Sequence, residues 1–431
     1  MKTLILTLMI AASGPWSLQD CIQYALDNNI QVRQSELAVQ QREIELNTAQ
    51  NSRLPGVSAS GSQNFSFGRG LTADNTYANT NTTNTSFNLG ADLPIFQGFQ
   101  INNQIAQGRL NLEAATVDLE KARDDIRVAV AQAYVQILYC REILSVAQNQ
   151  VEVDQIQLDR LENMLSNGKA STAEVAAQRA TLAQSRLSET QAQGNLSLAL
   201  LDLSQLLELP SPEGFDVIAP DTEALAIGML MSPEAIYAEA VGVKPAILSE
   251  EIRLGSAERG IALAKGAYLP SLSLSGGLGT NYYTSSGREA AAFGEQLKNN
   301  FSQYVGLSLR IPIFSRFSTR NQVRSAQLNY HNQLLSLENA KKSLYKEIQT
   351  AYYNAVTSQS KYASSEEAAV SARQAFDLTR EKYENGKANI TEYNESKSRC
   401  LRAESDFLQA RYEYLYQSRL LDFYRGEEIN F

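Results

Sequence analysis

The sequence predicts a mainly α-helical fold with a membrane β-barrel portion that one chain cannot complete alone. Three observations carry this expectation. Four segments of roughly ten residues alternate apolar residues with small polar ones, the length and pattern of a tilted strand crossing lipid. Two runs of about 65 residues read as helices, each about 100 Å long at 1.5 Å per residue and too long for a globular core. The whole pattern also occurs twice. Leu93-Pro94-Ile95-Phe96-Gln97-Gly98-Phe99 returns as Ile311-Pro312-Ile313-Phe314-Ser315-Arg316-Phe317, and each copy closes an alternating segment and opens a long helical one.

Residues 1–14 read as a secretory signal. Lys2 supplies the positive end, Leu4 to Ile10 the apolar run, and Ala11-Ala12-Ser13-Gly14 the small residues for cleavage. Cys21 could suggest lipid attachment, but it follows Leu18-Gln19-Asp20, and acidic Asp20 does not suit a lipoprotein signal. No later stretch is a run of about twenty apolar residues, so an exported chain that spans lipid must do so with strands.

Composition narrows the function classes. The chain has 431 residues, 43% apolar and 20% charged, which suits a folded protein. A net charge of -9 without a Lys/Arg block argues against nucleic acid as a partner. The single histidine, His331, lies in a helical stretch, which excludes a histidine triad or a multi-histidine metal site within one chain. Cys21, Cys140 and Cys400 are far apart and show no CxxC spacing. Nucleophile motifs and phosphate loops are absent from the sequence, so no enzyme activity, metal or cofactor is expected.

The first repeat is expected over 15–208. It begins with two helices from Ser17 to about Asn51, broken near Asn28-Asn29. A strand follows at 55–67, where Val57, Ala59, Gly61, Phe65 and Phe67 alternate with Ser58, Ser60, Ser62, Asn64 and Ser66. The next strand, 85–96, sets Phe87, Leu89, Ala91, Leu93 and Ile95 against Ser86, Asn88, Gly90 and Asp92. In the second repeat, 232–421, strands are expected at 270–283 and 303–314. The small Ser, Asn and Gly on the wet face fit a confined, water-holding lumen better than the Lys, Glu and Arg of a soluble sandwich. Polar loops at 68–84 and 284–300 join the strands of each pair. Four strands leave two edges unpaired in lipid, so several chains must share one barrel. Long loops face outward in such barrels, which places Phe96, Phe99, Phe314 and Phe317 at the inner membrane interface as an aromatic belt; packing of the strand-to-helix turn would suit them too.

The first long helix runs from about Asn102 to Ser166 with Gly108 as its one glycine and no proline. Its stripe is Leu112, Ala115, Leu119, Ala122, Ile126, Ala129, Ala133, then Ile137, Cys140, Leu144, Ala147, Val151 and, beyond Asp154, Leu158, Leu161 and Leu165. Asn167-Gly168-Lys169-Ala170 breaks it, and a return helix runs to Glu208. In the second half Arg320 to Glu384 carries Leu337, Ala340, Leu344, Ile348, Ala351 and Ala355, breaks at Asn385-Gly386-Lys387-Ala388, and returns through Leu401, Leu408 and Leu415. Pro55 recurs as Pro270, 215 positions on, whereas Pro94, Tyr134 and Gly168 recur 218 positions on as Pro312, Tyr352 and Gly386. A shift confined to the strands implies tandem duplication of a unit of two helices, two strands and two helices. Asp92 and Arg310 occupy equivalent places on the wet face, so opposite charges would ring the barrel base. A Pro-marked linker is expected at 209–231, and a tail outside the repeat at 422–431.

With its paired Pro-Ile-Phe junctions, twin Asn-Gly-Lys-Ala tips and duplicated strand units, the chain resembles the TolC family of outer-membrane efflux and secretion channels over essentially its whole mature length. The resemblance implies a homotrimer in outer-membrane lipid, with one twelve-stranded barrel and a periplasmic tunnel of twelve helices. It implies a passive conduit gated at the periplasmic tip, served by a periplasmic adaptor and an inner-membrane pump. It also places the gate at Tyr383, Glu392 and Glu395, with Glu174 as the acidic position of the first hairpin. Clustered in a trimer, these carboxylates would prefer cations. A solvated acidic helix face is the plainer alternative for them. Where the family carries a latching arginine two residues after the glycine, this chain has Ala388. The tips Asn167, Gly168, Lys169 and Asn385, Gly386, Lys387 resemble the family's adaptor-docking grooves, a role compatible with simple helix reversal. An exported coiled-coil scaffold or adhesin is the rival reading; it explains the helices but not the strands. The transported compound is not encoded in any run of Met or His.

Overall fold

The structure is a computed structural model that describes residues 14–71, 75–219, 228, 230–286 and 288–431. The expected secretory signal lies outside the described residues except for Gly14. By contacts the chain divides into two units, and each draws on both halves of the sequence. One takes Met1–Leu37, Thr116–Leu248 and Glu338–Phe431; the other takes Ala38–Ala115 and Ser249–Leu337.

Capping residues set where the helices begin. Ser17 and Asp20 exchange hydrogen bonds with each other's backbone and open α1 (Leu18–Asn28). Extended backbone at Asn29 ends it, and α2 (Ile30–Asn51) follows, so the expected break falls at Asn29. Cys21 is completely buried on α1, and burial, aided by the charge of Asp20, pushes its thiol up to about 12. It behaves as a small core residue.

The second unit holds a four-stranded antiparallel sheet in the order β1 (Gly56–Ser66), β4 (Thr82–Gln97), β5 (Ser271–Ser285), β6 (Ser302–Arg310). Its register keeps the two faces distinct. Val57, Ala91, Gly276 and Val305 form one row, and Leu93, Leu274 and Leu307 another. On the opposite face Ser60 pairs with Asn88, and Ser62 bonds Ser86 at 2.7 Å between hydroxyls. The apolar face is uncovered in the single chain: Val305 is 82% exposed, Leu307 65% and Phe65 60%. Asp92 pairs with Ser275 and Arg310 with Ser271, so the two charges share the wet face but lie four residues apart along β5.

Strand boundaries differ from expectation where pairing decides them. β4 is longer than 85–96 because it has partners on both sides, down to Gln97 opposite Ser271. β6 stops at Arg310 rather than reaching 314, because β5 begins at Ser271, which pairs with Arg310; Ile311 to Phe314 therefore pass the end of their neighbour. The β4–β5 ladder shifts between Pro94 and Phe96, with Ile95 as the extra residue. A bulge fits there because proline has no N–H to give the ladder. The two stretches expected as loops contain structure. The first forms a small hairpin, β2 (Arg69–Leu71) with β3 (Tyr77–Asn79). In the second, α7 (Phe293–Asn299) lies against β5, where Thr280 donates to the Leu297 carbonyl at 2.6 Å and the Gln296 amide bonds both backbone groups of Tyr283.

The strand-to-helix junctions repeat in detail. Gly98 and Phe99 have φ 59 and 62, and their counterparts Arg316 and Phe317 have φ 52 and 62. The ring of Phe96 meets Phe99 edge-on at 5.1 Å, and Phe314 meets Phe317 in the same way at 5.4 Å. Gly98 is held by more than its φ, since a Cβ there would overlap the carbonyl oxygen of Gly266. Arg316 is exposed and meets no such limit.

From these junctions start α3 (Gln100–Ser166) and α8 (Ser318–Glu384), each of 67 residues. They return as α4 (Thr172–Leu206) and α9 (Ile390–Tyr424), each of 35. α9 continues three residues into the stretch expected as a tail, to the position equivalent to the end of α4. The first unit also contains α5 (Pro233–Ala240), capped by Ser232, while α6 (Pro245–Gly266) contributes to both units. On α3 the buried surface is broader than the expected stripe. Ile126, Ile137, Cys140 and Leu144 are buried as expected; Ala129 and Ala133 are half-buried, and Val130, Tyr134 and Leu138 complete a second row. The helix therefore buries a band, as in a globular packing, and not a two-helix seam.

Tyr134 organises this unit. It is 2% exposed, and its hydroxyl donates to the carbonyl of Ile218 at 2.5 Å and lies 3.2 Å from that of Trp16. Trp16 forms a parallel bridge with Val217 in the expected linker, and Arg141 donates to the Val217 carbonyl. At the other end of the sequence Phe431 stacks on the Tyr134 ring, while Ile429 is buried and accepts from Gln19. Its equivalent, Tyr352, is half-buried and makes none of these bonds.

The two junctions should respond differently to substitution. Gly98→Ala combines a left-handed backbone with a steric overlap and is expected to cost about 2–4 kcal/mol. Arg316→Gly should be neutral or stabilising by up to about 1 kcal/mol. Thermal unfolding of the purified protein in detergent separates the two outcomes.

Candidate functional site: the hairpin tips

Both hairpins reverse by the same hydrogen bonds. Gly168 has φ 66 and donates to Leu165 while Lys169 donates to Met164; Gly386 has φ 68 and donates to Tyr383 while Lys387 donates to Lys382. This pair of bonds closes a helix end on a left-handed glycine. Asn167, Gly168, Lys169, Asn385, Gly386 and Lys387 are all exposed, and no atom lies within 4 Å of a Cβ built on either glycine.

The return helices are capped alike. Ser171 and Glu174 form a capping box on α4, and Asn389 and Glu392 form one on α9. Glu174 accepts from the Ser171 backbone and hydroxyl at 2.7 and 2.9 Å, which holds its carboxyl below its ordinary value. Two of the sequence-selected carboxylates thus have a local role in the helix start, and both remain exposed, as does Glu395. Tyr383 is half-buried, with its ring 5.0 Å from Tyr393, which also meets Phe376 at 5.5 Å. Burial raises the hydroxyls of both tyrosines, Tyr393 to about 12. Tyr393 replaces Val175 of the first hairpin, where Leu158, Leu161, Val175 and Leu182 form an aliphatic cluster. The structure therefore gathers Tyr383 with an aromatic group and leaves the acidic residues in water.

Sequence reasoning missed a buried polar cluster deeper in the bundle. Asp154, fully buried on α3, contacts Lys397 of α9 directly. Gln150 and Ser185 donate to its Oδ2 at 2.8 and 2.6 Å, and Gln178 donates to Oδ1 at 3.2 Å. Burial alone would raise this carboxyl, but Lys397, Ser185 and Gln150 hold it below its ordinary value. Burial lowers Lys397, and its contact with Asp154 opposes that shift. A groove of about 690 Å³ among α3, α4 and α9 opens beside the pair, lined in part by Gln150, Ser185, Asn394 and Lys397. The available signal was Asp154 itself, a charge standing at an apolar stripe position. Among the described residues no group of three or more His, Cys, Asp or Glu could hold a metal ion, and no helix is long and apolar enough to cross a membrane.

Two predictions arise here. Gly168→Ala and Gly386→Ala each place a side chain in open space but in left-handed backbone, so each should cost about 1–2 kcal/mol in thermal unfolding and leave the chain folded. Asp154 has a depressed folded pKa, so its contribution is complete above the ordinary carboxylate range and lost as pH falls through the folded value. The melting difference between the wild type and Asp154→Asn should therefore stay constant from pH 8 to about 5 and narrow only below about pH 4.

Comparison with known proteins places this architecture. The chain is 25% identical to outer membrane protein TolC of Escherichia coli (strain K12) over 76% of its own length and 71% of that protein. It is 24% identical to the cation efflux system protein CusC of the same strain, over 77% and 69%. The crystal structure of the Campylobacter jejuni CmeC outer membrane channel superimposes with a TM-score of 0.78 at 19% identity, covering 96% of this chain and 87% of that one. The model of the outer membrane efflux protein family matches residues 21–208 and 236–427, so that both halves carry the family's pattern and the scaffold reading gives way. The chain belongs to the outer membrane efflux protein family.

Proposed function

We propose that this outer-membrane exit duct works as a homotrimer whose copies pool their sheets into one twelve-stranded barrel, with the helical bundle as a periplasmic tunnel gated at the hairpin tips. The observation that carries this reading is the open sheet. β1 and β6 each leave an edge, and the exposed apolar face spans all four strands. In lipid an unpaired edge costs several kcal/mol for each backbone group, so edges must meet edges. Three copies would bring β6 of one chain to β1 of the next and extend pairing past Arg310 into Ile311 to Phe314. The aromatic pairs Phe96–Phe99 and Phe314–Phe317 would then sit at the inner membrane interface, where amphipathic and aromatic groups anchor a barrel.

The duct performs no chemistry. An inner-membrane pump supplies the energy and a periplasmic adaptor bridges the gap between pump and duct, docking at the glycine tips, which are exposed, identical and unobstructed. Glu392 and Glu395, with Glu174, give the tip its cation preference, because like charges crowded at a constriction attract counter-ions. Tyr383 lines the gate beside Tyr393.

Three measurements test this. The purified protein in detergent should migrate as heat-sensitive trimers; a monodisperse single copy in detergent-free buffer would overturn the barrel. In planar bilayers Glu392→Lys with Glu395→Lys should invert or abolish cation preference. Glu392→Gln with Glu395→Gln, which keeps a capping acceptor, should weaken it, and unchanged selectivity in both double variants would dismiss the tip carboxylates. Gly168→Trp with Gly386→Trp should abolish efflux from cells while trimers still assemble; retained efflux would count against docking at the tips.

A further inference from the structure

The buried cluster around Asp154 joins the two hairpins of one chain. Asp154, Gln150, Gln178 and Ser185 all belong to the α3–α4 hairpin, whereas Lys397 reaches them from α9. Asp154 is 0% exposed and Lys397 4%. Three other ion pairs between these helices are of a different kind. Arg179–Glu162 connects α3 to α4, and Arg373–Glu404 and Lys361–Glu413 connect α8 to α9, each within one hairpin and each with an exposed partner.

The duplication supplies an internal control. At the positions 218 further on, Gln150, Asp154 and Ser185 are replaced by Ala368, Ala372 and Ala403. The position equivalent to Lys397 in the first repeat is Arg179, which is exposed and turns to Glu162. In the second hairpin these places are not interior: Ala368 is exposed and Ala372 and Ala403 are half-buried, whereas the first hairpin carries a buried, hydrogen-bonded carboxylate at Asp154. The tie is directed from the first hairpin to the second.

We propose that Asp154 and Lys397 form a clasp that holds the α8–α9 hairpin against the α3–α4 hairpin, and that the strength of this clasp sets how readily the tip opens. The inference rests on the gated-duct reading above. Withdrawing α9 leaves Asp154 with its three donors but strips the ammonium of Lys397 from its counter-charge, and removing one partner of a buried pair is strongly unfavourable. The groove beside the pair gives water a route to Lys397 once the hairpins part, so the clasp can release without an ammonium stranded in a dry core.

The test uses the purified full-length protein in planar bilayers. Lys397→Met and Asp154→Asn should assemble like the wild type and raise the mean conductance per channel several-fold at neutral pH, while Lys397→Arg, which keeps the charge, should stay at the wild-type value. Assembled Lys397→Met and Asp154→Asn channels with wild-type conductance overturn the clasp. Should those two variants fail to assemble, Gln150→Ala and Ser185→Ala replace them, since each removes one donor and spares both charges. A graded rise in conductance then supports the clasp, and wild-type conductance in both overturns it. A wild-type chain that forms no pore overturns the duct reading and the clasp with it, whereas unchanged conductance in the variants overturns the clasp alone.

Discussion

Every backbone N–H and C=O that enters lipid must find a partner there, and this chain carries a four-stranded sheet where a closed barrel needs more strands. That deficit governs much of the rest. It explains an apolar face left bare on the single chain, because the same residues that would aggregate in water are at ease against lipid. It fits a wet face built from Ser, Asn and Gly, small polar residues opposite the apolar one. It also explains the unequal strand ends: β4, flanked on both sides, keeps its ladder to Gln97, while β6 has one neighbour and stops where that neighbour begins.

The helices obey a second constraint, imposed by duplication. α3 and α8 begin and end at equivalent positions, as do α4 and α9. Backbone geometry follows the same offset. Gly168 and Gly386 share the left-handed turn, Phe99 and Phe317 share φ 62, and Glu208 is matched by Gly426, both at positive φ. A residue as unsuited to that conformation as phenylalanine persists twice because the fold around each junction over-determines it. Much of this was legible before any coordinates, since Pro-Ile-Phe and Asn-Gly-Lys-Ala are local signals whose meaning depends little on tertiary neighbours.

Features that were not legible depend on partners remote in sequence. α7 has a weak start, with Ala292 offering no side-chain cap, and is held by Thr280 and Tyr283 of β5. The second buried row of α3, Val130 with Tyr134 and Leu138, arises because Tyr134 meets segments from both ends of the chain. At the tips the glycines and the aromatic Tyr383 were readable, yet the acidic residues carried two meanings at once. Ser171-x-x-Glu174 and Asn389-x-x-Glu392 are capping boxes, and a charge count alone does not separate a helix start from a constriction. Asp154 looked like a flaw in a stripe; only Lys397, 243 residues away, turns it into a tie.

Where the two halves of a duplicated chain depart from each other, the departures are informative, because the ancestral unit had no reason to distinguish first from second. Gly98 against Arg316 follows from one crowded backbone contact and reports on packing. Val175 against Tyr393 changes an aliphatic tip into an aromatic one and brings Tyr383 with it. Gln150, Asp154 and Ser185 against Ala368, Ala372 and Ala403 go beyond a change of side-chain size, since Asp154 is fully buried with a charge that must be paired there, whereas Ala368 is exposed and Ala372 and Ala403 are half-buried. A pair of equal hairpins could be exchanged without consequence. An acid on the first and a lysine on the second give each a fixed partner, so the buried pair of Asp154 and Lys397 breaks the symmetry of the duplication.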